Sequence, residues 1–291
     1  MNFKMGLYKF STTSSSSESV SSTPMSKSGD KEIKPNSSEK EYYSFLKWFV
    51  GFTDAVYSNR RKYSTTKTSV NNLVVWGTNL QSTVGERFSR KQLATVRLTP
   101  YTKGVIVGLI LSDGWLIISN SKNARLGFSQ SGSHSEYFWF VFSLLSHYCS
   151  SYPTLRNRSR LGKQTIALQF LTRLMPCLTE LHTLFYPNKV KVIPSNIYDL
   201  LTPVALAHLI MGDGGFKSKG IYICTDSYSI QDVVRLMNAL ILRYDLKCTL
   251  HKASNSCGYR IYISRNSVWK VKEIVKPYLV PSMYYKLGEE V

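Results

Sequence analysis

Two aspartates are placed where carboxylates are costly. Asp113 closes the uncharged run V-I-V-G-L-I-L-S-D-G at residues 105–114, and Asp213 closes A-L-A-H-L-I-M-G-D-G at residues 205–214. The two Asp-Gly pairs lie one hundred positions apart, with Leu109-Ile110 matching Leu209-Ile210 in the aligned runs. Negative charge at the C-terminal end of a helix opposes the helix dipole, at a cost of roughly 0.3–1 kcal/mol. Brought together, two carboxylates also repel each other unless a divalent cation lies between them. Paired carboxylates are a hard-oxygen site of the kind Mg²⁺ occupies, and Mn²⁺ accepts the same donors. The chemistry implied is therefore metal-assisted, at one composite site drawn from both runs.

The elements that must position this pair follow from the flanking residues. Each apolar run is too short for a membrane span and fits a buried helix. Gly104, Gly108 and Ser112 recur at i, i+4 and i+8, a stripe without bulk against which another backbone can lie. Ala205, Ala207 and Gly212 supply small residues to the second run. Packing the two helices on each other brings Asp113 and Asp213 together. Thr202 is a fitting N-cap, with Pro203 at the first helical position.

Three further stretches share one resemblance: Leu201-Thr202-Pro203 before the second run, Met211-Gly212-Asp213-Gly214-Gly215 at its end, and K-P-Y-L-V-P-S-M-Y-Y-K-L at residues 276–287. With the two runs, they resemble the LAGLIDADG homing endonucleases in their single-chain, two-motif form, over roughly residues 101–287. The similarity is to the subgroup that includes the yeast mitochondrial omega-intron endonuclease. The resemblance implies site-specific double-strand cleavage of DNA, with short 3′ overhangs, during intron homing. It implies Asp113 and Asp213 as catalytic metal ligands, the backbone carbonyls of Ser112 and Gly212 as further ligands, and Lys191 and Lys286 as assisting basic residues. It also implies Mg²⁺ or Mn²⁺ as cofactor, double-stranded DNA as partner, a monomer, and a mitochondrial or chloroplast setting. Two positions depart from the pattern. His208 replaces a small residue and reads as packing, and Gly212 stands where the subgroup often carries a second acid.

The strand patterns complete each half. Residues 115–119 and 125–131 read as paired strands, with Arg125, Gly127, Ser129 and Ser131 on one face and Leu126 and Phe128 on the other. Residues 136–149 read as a helix. Arg156, Arg158 and Arg160 alternate along the next strand and share a face, which suits a nucleic-acid groove. Across a turn at Gly162, Thr165, Ala167 and Gln169 face one way and Ile166, Leu168 and Phe170 the other; residues 175–186 read as a helix. In the second half a strand is expected from Lys219 to Thr225 and a helix over residues 229–244. A hairpin follows, with Lys247, Thr249 and His251 on one face and Arg260, Tyr262 and Ser264 on the facing strand. The expected fold is α+β: two pseudo-symmetric αββαββα halves whose antiparallel sheets are covered by helices on one side. The uncovered faces would form a saddle for DNA. Arg125, Ser129, Arg156, Arg158, Arg160, Gln169, Lys219, Lys247, Thr249, His251, Arg260 and Tyr262 are the candidates for contact with it.

Composition agrees with a polyanionic partner. The 291 residues carry a net charge of +19. No run of 18 or more apolar residues spans a membrane, so no membrane partner is expected. Cys149, Cys177, Cys224, Cys248 and Cys257 are odd in number, widely spaced and never C-x-x-C, which argues against a zinc module and a disulfide framework. Residues 1–40 are Ser-rich and read as a disordered tail. Residues 41–97 form a basic extension, in which W-F-V-G-F-T-D-A at residues 48–55 looks like a motif relic around Asp54. The first half is expected at residues 98–187, a linker at 188–200 and the second half at 201–291. The other function open to such a chain is a maturase that binds its own intron RNA, or a decayed DNA-binding homologue assisting group I intron splicing.

Overall fold

The computed structural model describes residues 83–118, 123–160, 163–253 and 258–289, all within one compact unit, Ser69–Val291. The expected Ser-rich tail, the Asp54 run, Gly162 and Cys257 lie outside the described residues.

After a short helix α1 (Arg90–Thr95), the first half runs α2 (Pro100–Leu111), β1 (Trp115–Ile118), β2 (Ala124–Ser131), α3 (Ser135–Leu145), β3 (Thr154–Arg160), β4 (Lys163–Leu171) and α4 (Pro176–Phe185). A connection with one helical turn, α5 (Ile197–Leu200), leads to the second half. That half runs α6 (Pro203–Asp213), β5 (Gly214–Lys217), β6 (Gly220–Ile223), α7 (Ile230–Tyr244), β7 (Cys248–Lys252), β8 (Tyr259–Ile263) and α8 (Val268–Val275). The sheets have the equivalent orders β1-β2-β4-β3 and β5-β6-β8-β7, with every described pairing antiparallel. The α+β expectation holds.

Both apolar runs begin alike. Thr99 caps α2 by accepting from the Thr102 N–H at 3.1 Å, and Thr202 caps α6 by accepting from Ala205 N–H at 3.2 Å. Pro100 and Pro203 follow, where a missing N–H costs nothing. Each helix is buried over nearly its whole circumference, as expected of a helix that is apolar all round.

The small-residue stripe is where they meet. A methyl group placed on Gly104 would lie 2.7 Å from Thr202 Oγ1, and one on Gly108 would lie 2.5 Å from the Ala205 carbonyl oxygen and 2.6 Å from His208 Cβ. One on Gly212 would fall 2.5 Å from Ser112 Cβ and 3.2 Å from Asp113 Oδ2. Start faces start and end faces end, so the helices run in the same direction and their C-termini converge.

The sheets pack by parity. In the first half Leu126, Phe128 and Phe170 point to the helices. Phe128 lies 5.9 Å from Phe138 and 5.8 Å from Tyr137, between ring centres, and Phe142 lies 5.6 Å from Phe170. In the second half Ile221, Ile223, Ile261 and Ile263 are fully buried. Arg173, also buried, holds the segment preceding α1. Its guanidinium donates to the carbonyls of His147, Thr83 and Glu86 at 2.9, 2.6 and 3.0 Å and lies 4.1 Å from the Phe88 ring centre.

The second-half sheet differs from the sequence reading at its first hairpin. The αββαββα plan calls for a strand ahead of Lys219 without giving its bounds; that strand is β5, whose opening Gly214-Gly215 has little strand propensity of its own and is held by pairing with Ile223 and Tyr222. Lys219 does not open a strand: Ser218 and Lys219 have φ of 54° and 64° and form the two central residues of the β5–β6 hairpin. Two consecutive left-handed residues match the twist of the flanking strands.

The seam predicts a sharp contrast between two glycines. Gly108→Ala should lower unfolding free energy by about 1–3 kcal/mol, read by urea denaturation. Gly215→Ala, where an added methyl meets nothing within 4 Å, should stay within about 0.5 kcal/mol.

Candidate active site and nucleic-acid faces

The first helix ends at Leu111, so Asp113 stands two residues beyond it, whereas Asp213 is the last residue of α6. The two carboxylates meet where the helix ends converge. Asp213 is pushed up from an ordinary 3.8 to about 7, first by burial and then by the negative charge of Asp113; Lys191 and Lys286 oppose that shift.

Each aspartate is flanked by a lysine from the segment that follows its own half. Lys191 donates to the carbonyls of Ser112 at 3.2 Å and Gly114 at 3.3 Å. Lys286, almost fully buried, donates to the Gly212 carbonyl at 2.6 Å. Burial brings Lys191 down to about 8 and lowers Lys286 also, against the pull of both aspartates. The Ser112 and Gly212 carbonyls, expected as further metal ligands, each accept one of these ammonium hydrogen bonds and keep a second lone pair.

Gln130 was not singled out by the sequence reading. Its side-chain amide donates to Asp113 Oδ2 at 2.5 Å. The strand register explains this: Gln130 shares the covered face with Leu126 and Phe128, where a buried amide needs a partner. Its presence on an otherwise apolar strand face was the available signal. Thr225 holds the equivalent place in the second half, since Gly214 pairs with Ile223 as Gly114 precedes the Trp115–Gly127 pair. Thr225 instead donates to the Tyr259 carbonyl at 2.6 Å. Asp213 thus lacks the amide that Asp113 has.

His208 is a packing residue, as the sequence implied. It is fully buried, its Nδ1 lies 3.0 Å from Tyr137 Oη, and its ring stacks on Phe140 at 6.1 Å. Burial lowers it to about 3, so it stays neutral.

The uncovered sheet faces differ in chemistry. On the first, Ser129, Gln169 and Thr154 form one cross-strand row, and Ser131, Ala167 and Arg156 the next. Arg156 is exposed, Arg125 is half-buried and Ser129 is buried. Backbone pairing sets Arg158 opposite Thr165 and Arg160 opposite Lys163. On the second face Tyr222, Tyr262 and Thr249 form a row, followed by Arg260 and His251. Tyr222 is a face residue that the sequence reading left out. The Tyr222 and Tyr262 rings lie 4.6 Å apart, and His251 lies 5.5 and 5.0 Å from them. Thr249 Oγ1 approaches His251 Nε2 at 3.0 Å. Arg260 is paired with Asp226 through two hydrogen bonds of 2.8 and 2.7 Å. Lys247 is exposed just before β7, and Lys219 is exposed in its hairpin turn, where Tyr262 Oη donates to the neighbouring Ser218 carbonyl at 3.2 Å.

Comparison with known proteins shows the family to which this fold belongs. A model of the LAGLIDADG DNA endonuclease family matches residues 103–271. The chain belongs to that family. It is 38% identical over 171 residues to a cytochrome b mRNA maturase bI2 of Debaryomyces hansenii, covering 57% of this chain and 65% of that protein. It therefore spans less than two thirds of that relative. It is 30% identical over 211 residues to the DNA endonuclease I-ChuI of Chlamydomonas applanata, covering 66% of this chain and 96% of that protein. Among solved structures it is similar to the homing endonuclease I-WcaI bound to its DNA recognition sequence, with a TM-score of 0.62 and 26% identity over 67% of this chain and 89% of that one.

The raised Asp213 gives a signed pH dependence. Its folded-state proton affinity exceeds the unfolded value, so its contribution to stability is intact below pH 3.8 and is lost as pH rises through about 7. In EDTA at pH 8, Asp213→Asn should therefore be more stable than the parent by up to about 4 kcal/mol. The difference should vanish near pH 4 in urea unfolding curves.

Proposed function

We propose that this chain is a site-specific DNA endonuclease of the intron-homing type, cutting both strands of a long duplex target. The observation that carries this reading is the meeting of Asp113 and Asp213 at the ends of two glycine-packed helices, each with its own lysine, Lys191 half-buried and Lys286 buried. A structural helix pair has no need of two facing carboxylates, which cost stability. A DNA-cutting centre has a use for them.

In this reading Asp113 and Asp213 hold divalent metal, Mg²⁺ or Mn²⁺. The donor set fits: hard carboxylate oxygens that repel one another, with no third acid, histidine or cysteine grouped with them among the described residues. Mg²⁺ commonly takes one or two carboxylates and completes its shell with water and substrate phosphate. When bound, the metal supplies Lewis-acid activation of the scissile phosphate. Lys191 and Lys286 place positive charge beside the aspartates and stabilise the charge that develops during cleavage. Gln130 fixes one oxygen of Asp113. The polar faces of the two sheets lie along the groove, with phosphate contacts from the surrounding Lys and Arg residues. The chain acts as a monomer, since both halves of the site are present in one polypeptide.

Likeness to a cytochrome b mRNA maturase supports a second reading, binding of the chain's own intron RNA. It also supports a mitochondrial setting for either activity. Both activities fit a basic surface, but only cleavage requires the aspartate pair.

The test uses purified protein, Mg²⁺ and duplex DNA tiled across intronless organellar genes, with new ends mapped by sequencing. One discrete cut should appear, and Asp113→Asn should lower its rate by about 10³-fold or more while leaving DNA binding intact. Gln130→Ala should slow it by roughly tenfold, in the range seen for groups that orient a metal ligand. Absence of any cut, with tight binding of the intron RNA that survives Asp113→Asn, would leave the maturase alone.

A further inference from the structure

Arg260 is held in a way that bears on base recognition. It projects from β8 on the uncovered face, opposite His251 and two residues from Tyr262. Its Nε donates to Asp226 Oδ1 at 2.8 Å and its Nη2 to Asp226 Oδ2 at 2.7 Å. Those two bonds occupy one edge of the guanidinium. A guanidinium has five N–H groups, so three remain. Two of them, one on each Nη, lie side by side along the outer edge. That edge is the one able to donate in parallel to guanine O6 and N7.

Asp226 therefore leaves Arg260 armed while fixing where it points. An arginine side chain normally carries about 2 kcal/mol of rotamer entropy, part of which is lost on contact. Here the ion pair orders the side chain before DNA arrives. The backbone fixes Asp226 in turn. It lies three residues beyond the end of β6, and a methyl on Gly258, next to β8, would lie 2.6 Å from Asp226 Cα, so the two segments touch. The rest of the row offers aromatic rings and a hydroxyl rather than a second cation: Tyr222, Tyr262 and Thr249, with His251 between them.

We propose that Arg260 and Asp226 form a preassembled guanine-reading unit, with Arg260 the contacting residue and Asp226 its positioning residue. The inference rests on the DNA-binding reading above and adds a base identity to it.

A randomised duplex library, bound in EDTA so that no strand is cut, tests it. The parent protein should select guanine at one position beneath β8. Arg260→Ala should flatten that position by about tenfold or more. Asp226→Ala should flatten the same position and no other, with the salt dependence of binding unchanged. Asp226→Asn, which keeps an acceptor and the side-chain shape, should retain part of the preference and serves as the folded control by thermal melting. A guanine preference that strengthens or first emerges in Asp226→Ala would overturn the proposal, because Asp226 would then be withholding Arg260. So would an Arg260→Ala variant with every preference intact. Failure of the parent to enrich any duplex would instead sink the DNA reading itself, and this inference with it.

Discussion

The approach of two helix backbones governs this molecule. At Gly104, Gly108 and Gly212, where α2 and α6 face each other, a single added methyl would meet Thr202 Oγ1, the Ala205 carbonyl oxygen and Ser112 Cβ at 2.7, 2.5 and 2.5 Å. Protein interiors are packed too tightly to absorb such an overlap without displacement. The same contact sets the distance between the two halves and delivers their aspartates to one place. Both helices open with a threonine cap and a proline, but α2 begins three residues earlier relative to its aspartate: Thr99 lies 14 positions before Asp113 and Thr202 lies 11 before Asp213.

Converging two carboxylates at helix C-termini makes an electrostatically unfavourable centre, and the surrounding chain moderates it without removing it. Lys191 and Lys286 approach from opposite halves but bond to backbone carbonyls rather than to the acids. Their charge is felt, while their hydrogen bonds stay off the carboxylates. The balance is unequal. Gln130 donates to Asp113, whereas Thr225, its counterpart, turns to the Tyr259 carbonyl. Pseudo-symmetry here is a property of the backbone, and the side chains depart from it at the chemical centre.

The two sheets depart from it further. One presents hydroxyl, amide and arginine side chains, and the other a Tyr222–Tyr262–His251 cluster with one buttressed arginine. Two half-targets read by such faces need not resemble each other. Helix burial and strand register, which must be shared for the halves to pack, are repeated. The exposed row positions, which packing does not constrain, have diverged.

Much of this was legible in the sequence. The duplicated run ending in Asp-Gly announced two equivalent buried helices, because apolar length and small-residue spacing are local properties. The alternation of Arg125–Ser131 and Lys247–His251 assigned strand faces, because side-chain parity is fixed by the backbone. His208 read correctly as packing, since a bulky residue in an apolar run has nowhere else to go. Other features depended on residues far apart in the chain. Gln130 meets Asp113 across 17 positions, Lys286 meets Gly212 across 74, and Asp226 meets Arg260 across 34. No periodicity encodes such pairs. β5 formed on Gly214-Gly215 because β6 offered a partner, and Lys219 was turned into a hairpin by the register that followed. The sequence by itself determined which residues are buried and which share a face. Only the tertiary structure decided which polar groups satisfy one another, because a hydrogen bond between distant segments exists only once packing has brought them within 3 Å or so.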